Sequence, residues 1–385
     1  MTRHLPRALG LCLALGLALA GCSQPVNQAQ GYASPAITFP GASGPLASPA
    51  QAASAQPMGQ GQGPAPASSP AYEPVGFGHW VEFRHVTEVV DLAGPRADGS
   101  FVVASNGRLL TMSSSGTLSP FAQGKGGYAT KVGPEPYITL AGNYRPAGAS
   151  CSFSSDTLYA LQPEVPPGVI SISASGQARR FANLPATGLA DGIAFDSVGR
   201  FGHALLATVK SKTATTVVAI DCTGRVRTIT THAPVMEGGV AVAPATFGRY
   251  GGDLIGQNEL TGQIFAIGPT GTTVTLAVSR LPHGPDTGVE SAGFVPPGFG
   301  AGDSAYLADR LTVGNPHPGT DNVLRLPGSE LISEGARPGD LLVASEGSAQ
   351  TLLVRCASTC SLKYVAIGPS ITHGEGHIVF TRPGG

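Results

Sequence analysis

The chain has 385 residues, a formal net charge of −1 and 12% charged residues, so no basic excess exists to neutralise phosphates and nucleic acid is not an expected partner. A hydrophobic fraction of 42% supplies enough apolar material for a large core, while Gly 54 and Pro 33 are high and argue against a helical protein.

At the N-terminus, Arg3, His4 and Arg7 precede an apolar run, ALGLCLALGLALAG, from Ala8 to Gly21. A basic start, a short greasy core and small residues at its end compose a secretory signal. The run is shorter than the roughly 20 residues a membrane-crossing helix needs. It closes on Leu19-Ala20-Gly21-Cys22, which resembles the bacterial lipobox. That resemblance implies loss of residues 1–21 as a signal peptide and a diacylglycerol on the Cys22 thiol. Two or three acyl chains hold a protein stably where one does not. The expected location is extracytoplasmic, lipid-anchored through Cys22 to the cell membrane or outer membrane.

No Asp, Glu, Lys or Arg occurs between Arg7 and Glu73, and residues 23–72 are mostly Ala, Pro, Gly, Ser and Gln. Such a stretch has too few large apolar side chains to offset the entropy of ordering it, and its prolines favour extended conformations. Residues 22–78 are therefore read as a disordered tether and 79–385 as one folded domain.

Within the domain, short runs of Val, Ile, Leu and Thr punctuated by Gly predict an all-β fold. TMSSSGTLSPFA (111–122), SISASGQARRFA (171–182), AIDCTGRVRTIT (219–230) and AIGPTGTTVTLA (266–277) align without gaps. Gly116, Gly176, Gly224 and Gly271 share one place in them, as expected of a hairpin loop that needs positive φ. Upstream of these hairpins lie GSFVVAS (99–105), DTLYALQ (156–162), GHALLAT (202–208), GDLIGQN (252–258), DSAYLAD (303–309) and GDLLVAS (339–345). After Cys12 and Cys22 are set aside, Cys151, Cys222, Cys356 and Cys360 remain, an even number that predicts two disulfides in an exported domain. Of the three pairings, Cys356–Cys360 across a hairpin turn is favoured, which leaves Cys151–Cys222.

Repetition every 45–55 residues or so with four strands per unit is the pattern of a β-propeller. It resembles the NHL-repeat and gluconolactonase-like (SMP-30) propellers, a resemblance of repeat style over most of residues 86–380. Six blades are expected. Too few residues separate NVLRLPG (322–328) from GDLLVAS for two more strands, so five blades with an insertion is the alternative. HGEGHIVF (373–380) resembles a first strand, placed to close the ring on the blade that begins near residue 86.

First strands begin near the axis of a propeller, and several here begin with an acid: Glu135, Asp191, Glu237, Glu290 and Glu375, with Glu88 as a sixth candidate. Converging carboxylates repel unless a proton or cation neutralises them, and oxygen ligands suit Ca²⁺ or Mg²⁺. His373 and His377 flank Glu375, and alternation along a strand would align all three for metal binding or acid–base work. This Glu-x-His also resembles part of the virginiamycin B lyase site. His283, Asp286 and Asn258 are further candidates for the same mouth. Gluconolactonase-like proteins hold their metal through Glu, Asn and Asp; Asp191-Gly192 matches their Asp-Gly feature, whereas their early Glu-Gly-Pro is absent. Two functions follow as expectations. One is a membrane-anchored propeller that binds a small molecule, glycan or envelope protein at its channel mouth, with or without a divalent cation. The other is a metal-dependent lactone hydrolase or lyase.

Overall fold

The computed structural model describes residues 77–130, 135–163, 166–185 and 187–381. The expected signal peptide, Cys22 and the expected tether up to residue 76 lie outside the described residues. Two short strands come first, β1 (Gly78–His79) and β2 (Val81–His85). Four antiparallel sheets of four strands follow. The first holds β3 (Val89–Ala93), β4 (Phe101–Ser105), β5 (Arg108–Met112) and β6 (Leu118–Phe121). The second holds β7 (Ile138–Leu140), β8 (Leu158–Gln162), β9 (Gly168–Ile172) and β10 (Ala178–Asn183). The third holds β11 (Leu189–Phe195), β12 (Leu205–Lys210), β13 (Thr215–Ile220) and β14 (Val226–Ala233). The fourth holds β15 (Glu237–Val242), β16 (Leu254–Asn258), β17 (Gln263–Ile267) and β18 (Thr273–Val278).

The repeated hairpin has one physical cause. Gly116, Gly176, Gly224 and Gly271 all adopt φ between 82° and 87°. Each donates its N–H to the carbonyl three residues back: Ser113, Ser173, Asp221 and Gly268. A tight turn followed by a left-handed residue returns the chain in register, and glycine takes that conformation without a Cβ penalty.

The remaining strands are β19 (Val289–Phe294), β20 (Ser304–Asp309), β21 (Asn322–Pro327), β22 (Leu341–Ser345), β23 (Thr351–Cys356), β24 (Cys360–Ile367) and β25 (Gly374–Phe380), with α1 (Gly328–Ser333) between β21 and β22. They form one nine-stranded sheet with β1 and β2, in the order β1-β24-β23-β22-β19-β25-β20-β21-β2. Two runs, antiparallel except where β1 joins β24, meet in it at a parallel pairing of Ala292 with His377. Small residues permit that meeting, since a Cβ on Gly293 would lie 2.0 Å from the Ile378 carbonyl oxygen. The fold is thus all-β and propeller-like, with four separate four-stranded sheets and a fifth, larger sheet where further separate blades were expected.

The strand 289–294 pairs with β22, past β20, β21 and α1, which lie between the two in sequence. One expected pairing is corrected. HGEGHIVF pairs with β20 instead of joining the sheet begun by β3. Closure comes from the N-terminal side: β2 adds to β21 and β1 runs parallel to β24. Between them Trp80 is 2% exposed, and its indole N–H donates to Thr351 Oγ1 at 2.8 Å. Strands β3, β7, β11, β15, β19 and β25 lie side by side in that order, and β25 returns to β3. Apolar side chains fill the spaces between adjacent sheets, such as the cluster of Ile193, Leu205 and Phe153, and pack the two halves of the nine-stranded sheet together, such as Leu307, Leu342 and Val365. Both expected disulfides, Cys151–Cys222 and Cys356–Cys360, are present.

Candidate functional site

The inner strands are irregular where their acids sit. Pairing skips one residue at Asp191 in β11 and at Glu290 in β19, so each is the extra residue of a bulge. In β15 and β25 the register slips just after Glu237 and Glu375, at Gly238 and Gly376, both with φ 68°. A bulge re-aims a side chain that regular pleating would send into the blade. In β3 the residue skipped is Val90, not an acid, and Glu88 precedes the strand. The irregularity is thus shared by the first sheet, which lacks only the acid, while Glu135 precedes β7 and sits at no register shift.

A second set of charges arrives from the ends of the second strands. Lys210 ends β12, while Glu259, Arg310 and Glu346 directly follow β16, β20 and β22. The segments LLATVK, LIGQNE, AYLADR and LLVASE (205–210, 254–259, 305–310 and 341–346) show the signal: a charge six residues into each run. Sequence reasoning missed these four residues, having followed only the acids that open inner strands.

The five sequence-predicted acids divide into two groups. Carboxylate oxygens of Glu135, Glu290 and Glu375 lie within 4.8 Å of one another. Asp191 and Glu237 are instead bridged by Lys210, whose Nζ is 2.9 Å from Asp191 Oδ2 and also bonds Glu237. Arg310 pairs with Glu135 and lies 3.3 Å from Glu375. The Tyr137 hydroxyl is 2.9 Å from both Glu290 Oε1 and Glu375 Oε2. His373 Nε2 is 2.9 Å from Glu346 Oε1 and 3.4 Å from Glu375 Oε1. Glu346 also joins Glu290 and Glu259 in a group whose oxygens lie within 4.8 Å. Asp286 donates its backbone N–H to Glu259 at 3.2 Å. Asn258 makes a turn, donating to the Val235 carbonyl and accepting from Thr261, and His283 Nδ1 contacts the Leu281 carbonyl.

The predicted alignment of His373, Glu375 and His377 on one face holds for the first two and fails for the third. The slip at Gly376 turns His377 away. Its Nδ1 lies 2.9 Å from Asp91 Oδ2 and its Nε2 3.0 Å from the Ile193 carbonyl oxygen. Asp91 also accepts the backbone N–H groups of Leu92, Ile138 and His377, tying three inner strands with one fully buried carboxylate.

Electrostatics follow from the balance of charge. Seven carboxyls (Glu135, Asp191, Glu237, Glu259, Glu290, Glu346, Glu375) face three bases (Lys210, Arg310, His373). Burial and then repulsion from Glu375 push Glu135 up to about 7. Burial, followed by Glu237 and Glu346, pushes Glu259 up to about 9. Burial and neighbouring glutamates also raise Glu290. Glu375 moves the other way: burial is outweighed by His373 and Arg310. Burial opposes the charge on His373, yet hydrogen bonds to Glu346 and Glu375 lift it to about 10. His377 is raised in the same sense, the Asp91 carboxylate overcoming burial.

Where a cation would fit is decided by which acids lack a base. Glu135, Asp191, Glu237 and Glu375 each contact Lys210 or Arg310. Glu259 has no ion-pair partner among the described residues, and Glu346 Oε2 is buried without a hydrogen-bond donor. Gln257 Oε1, fully buried, is likewise unpartnered, while its Nε2 donates to backbone carbonyls of Glu237 and Gly239. The set Glu259, Glu290 and Glu346 supplies the oxygen-only donors that hard divalent cations take.

No family model and no curated protein matches the chain. Among solved structures it is similar to virginiamycin B lyase from Staphylococcus aureus, at 13% identity and TM-score 0.45 over 77% of each chain. It is similar also to the calcium-binding protein regucalcin from Agrobacterium tumefaciens, at 11% identity and TM-score 0.42 over 77% of this chain and 85% of that one. A gluconolactonase from Xanthomonas campestris aligns at 13% identity and TM-score 0.33, over 63% of this chain and 86% of that one. Values this low assign no activity, so the site is read from its own residues.

Proposed function

We propose that this is a lipid-anchored, extracytoplasmic propeller that binds Ca²⁺ or Mg²⁺ at its axial mouth and acts on a small oxygen-rich molecule as a lactone hydrolase or lyase. The observation that carries it is the Glu259–Glu290–Glu346 group, buried, without a base beside Glu259 and with Glu346 Oε2 lacking a donor. Such a group is stable only with protons or a cation among its oxygens. Glu259, Glu290 and Glu346 would hold the ion, which when bound supplies a Lewis acid for a carbonyl oxygen. Around it, Lys210 and Arg310 neutralise the flanking acids, His373 donates to Glu346 and Glu375, and Tyr137 orients Glu290 and Glu375. In this reading the nine-stranded sheet counts as two blades fused at Ala292 and His377, giving six around the axis. Cys22 carries the lipid, and the stretch to residue 78 spaces the domain from the membrane.

Calorimetric titration of Ca²⁺ and Mg²⁺ into the purified domain tests the ion. Saturable one-site binding is expected, weakened at least tenfold by Glu346→Gln or Glu259→Gln. Absence of binding to the parent domain would remove the metal. A cation-dependent turnover in a lactone panel, abolished by chelation, is the matching test of activity.

A second reading, binding of a glycan, small molecule or envelope protein without chemistry, draws on a separate observation. Glu346 and Glu375 lift His373 to about 10, and both ring nitrogens of His377 are engaged by Asp91 and the Ile193 carbonyl, so neither is a free base at neutral pH. Ion binding without turnover across the panel would favour it.

A further inference from the structure

The axis does not run open from the acid cluster to the opposite face. A Cβ on Gly239 would sit 2.1 Å from the Gly376 carbonyl oxygen, so β15 and β25 meet backbone to backbone. Beside this contact the Asp91–His377 pair reaches across to the Ile193 carbonyl. Beyond that layer lies a cavity of about 460 Å³, lined by the later halves of the inner strands: Leu92 to Pro95, Ile138 to Leu140, Ala194, Val240 to Val242, Ala292 to Phe294 with Pro296, and His377 to Thr381. Its partly exposed side chains include Pro95, Leu140, Ala241, Val242, Phe294 and Pro296. Thr139 and Thr381 add hydroxyls, and His377 is the one ionisable lining residue, with both ring nitrogens already bonded.

We propose that this axial cavity is a second binding site, for a small uncharged molecule with an aliphatic or aromatic body. Its chemistry is the reverse of the acid cluster at the other end. A charged ligand would find no free counter-charge among the lining residues, and burying it unpaired is strongly unfavourable. An apolar one gains from every methylene removed from water. The size falls within the range of ligand pockets, and at about 30 Å³ per water-sized unit it takes on the order of fifteen non-hydrogen atoms. Six strands line it, so the walls are preformed, and the proposal is independent of metal binding at the opposite mouth.

The test uses N-phenyl-1-naphthylamine, a neutral fluorophore, with the purified folded chain, and competition by straight-chain alcohols of four to fourteen carbons. One probe per chain is expected, with competition strengthening about fourfold per methylene and levelling off at about ten to fifteen heavy atoms. Val242→Phe and Leu140→Phe, which fill the cavity from two different strands, should each weaken probe binding at least tenfold. No saturable binding, or binding unchanged in both folded variants, overturns the site. If neither variant folds, the alcohol series in the parent chain, extended to about eighteen carbons, decides: a plateau supports a cavity of this size, and steady strengthening through the longest alcohol overturns it.

Discussion

Asp91 illustrates how much one buried charge organises. It accepts three backbone N–H groups and the His377 ring, from strands far apart in sequence, while being fully buried. Removing one partner of a buried pair leaves the other charged and unsolvated, which costs about 3–5 kcal/mol. Asp91→Ala is therefore expected to lower the free energy of unfolding by about that amount in urea titrations. Asp91→Asn, which keeps an acceptor but also presents donors to N–H groups, should fall between. A loss below about 1 kcal/mol for Asp91→Ala would show that the pair does not tie the inner strands. Glycine acts at the same scale by absence: at Gly239 and Gly293 any side chain would enter the backbone of β25.

At the scale of elements, the N-terminal strands carry the closure. Trp80 fills a core cluster with Leu324, Leu326 and Leu353, so Trp80→Ala should destabilise by about 3–5 kcal/mol in the same assay. The two disulfides differ in reach, joining residues 71 and 4 apart in sequence. Loop-closure entropy gives about 4 kcal/mol for the longer and about 2 for the shorter, so Cys151→Ser/Cys222→Ser should lose more stability than Cys356→Ser/Cys360→Ser. Equal losses would count against the chain-entropy account. Elements also mark what was legible. The hairpin glycines, the Cys356–Cys360 bridge and the acids that open inner strands are local signals, each tied to one turn or one strand, and Cys151–Cys222 followed only as the remaining pair. The interleaving of β19 to β25 is not, because pairing β19 with β22 across an inserted β20, β21 and α1 leaves no mark in any single segment. Glu259 and Glu346 were hidden for a related reason: they follow strands that the acid pattern ignored, and they meet Glu290 only once the ring brings those strand ends together. His377 was misplaced because strict alternation takes no account of the slip at Gly376.

For the molecule as a whole, the excess of buried acid over base should appear as a pH dependence of stability. Glu135 near 7 and Glu259 near 9 stand above the ordinary 4.5 of the unfolded chain. Between those values the folded state holds protons that the unfolded state has released, so stability is full below about pH 4.5 and is lost as pH rises through 7 and then 9. His377 contributes in the same direction: its stabilisation is present below the ordinary 6.5 and disappears as pH passes its raised folded value. Glu375, Asp98 and Asp221 are depressed and act oppositely, their stabilisation being lost in acid. With chelator present, the melting temperature should therefore peak at about pH 5 and fall steadily toward pH 9. A divalent cation competes with protons for the same oxygens. Millimolar Ca²⁺ or Mg²⁺ is thus expected to restore the melting temperature at pH 8 to 9 and to do little at pH 5, where Glu259 still holds its proton. Calorimetric scans across this range with and without the ion give the comparison. A flat profile in chelator, or equal stabilisation by the cation at both ends, would mean that the mouth neither stores protons nor exchanges them for a metal.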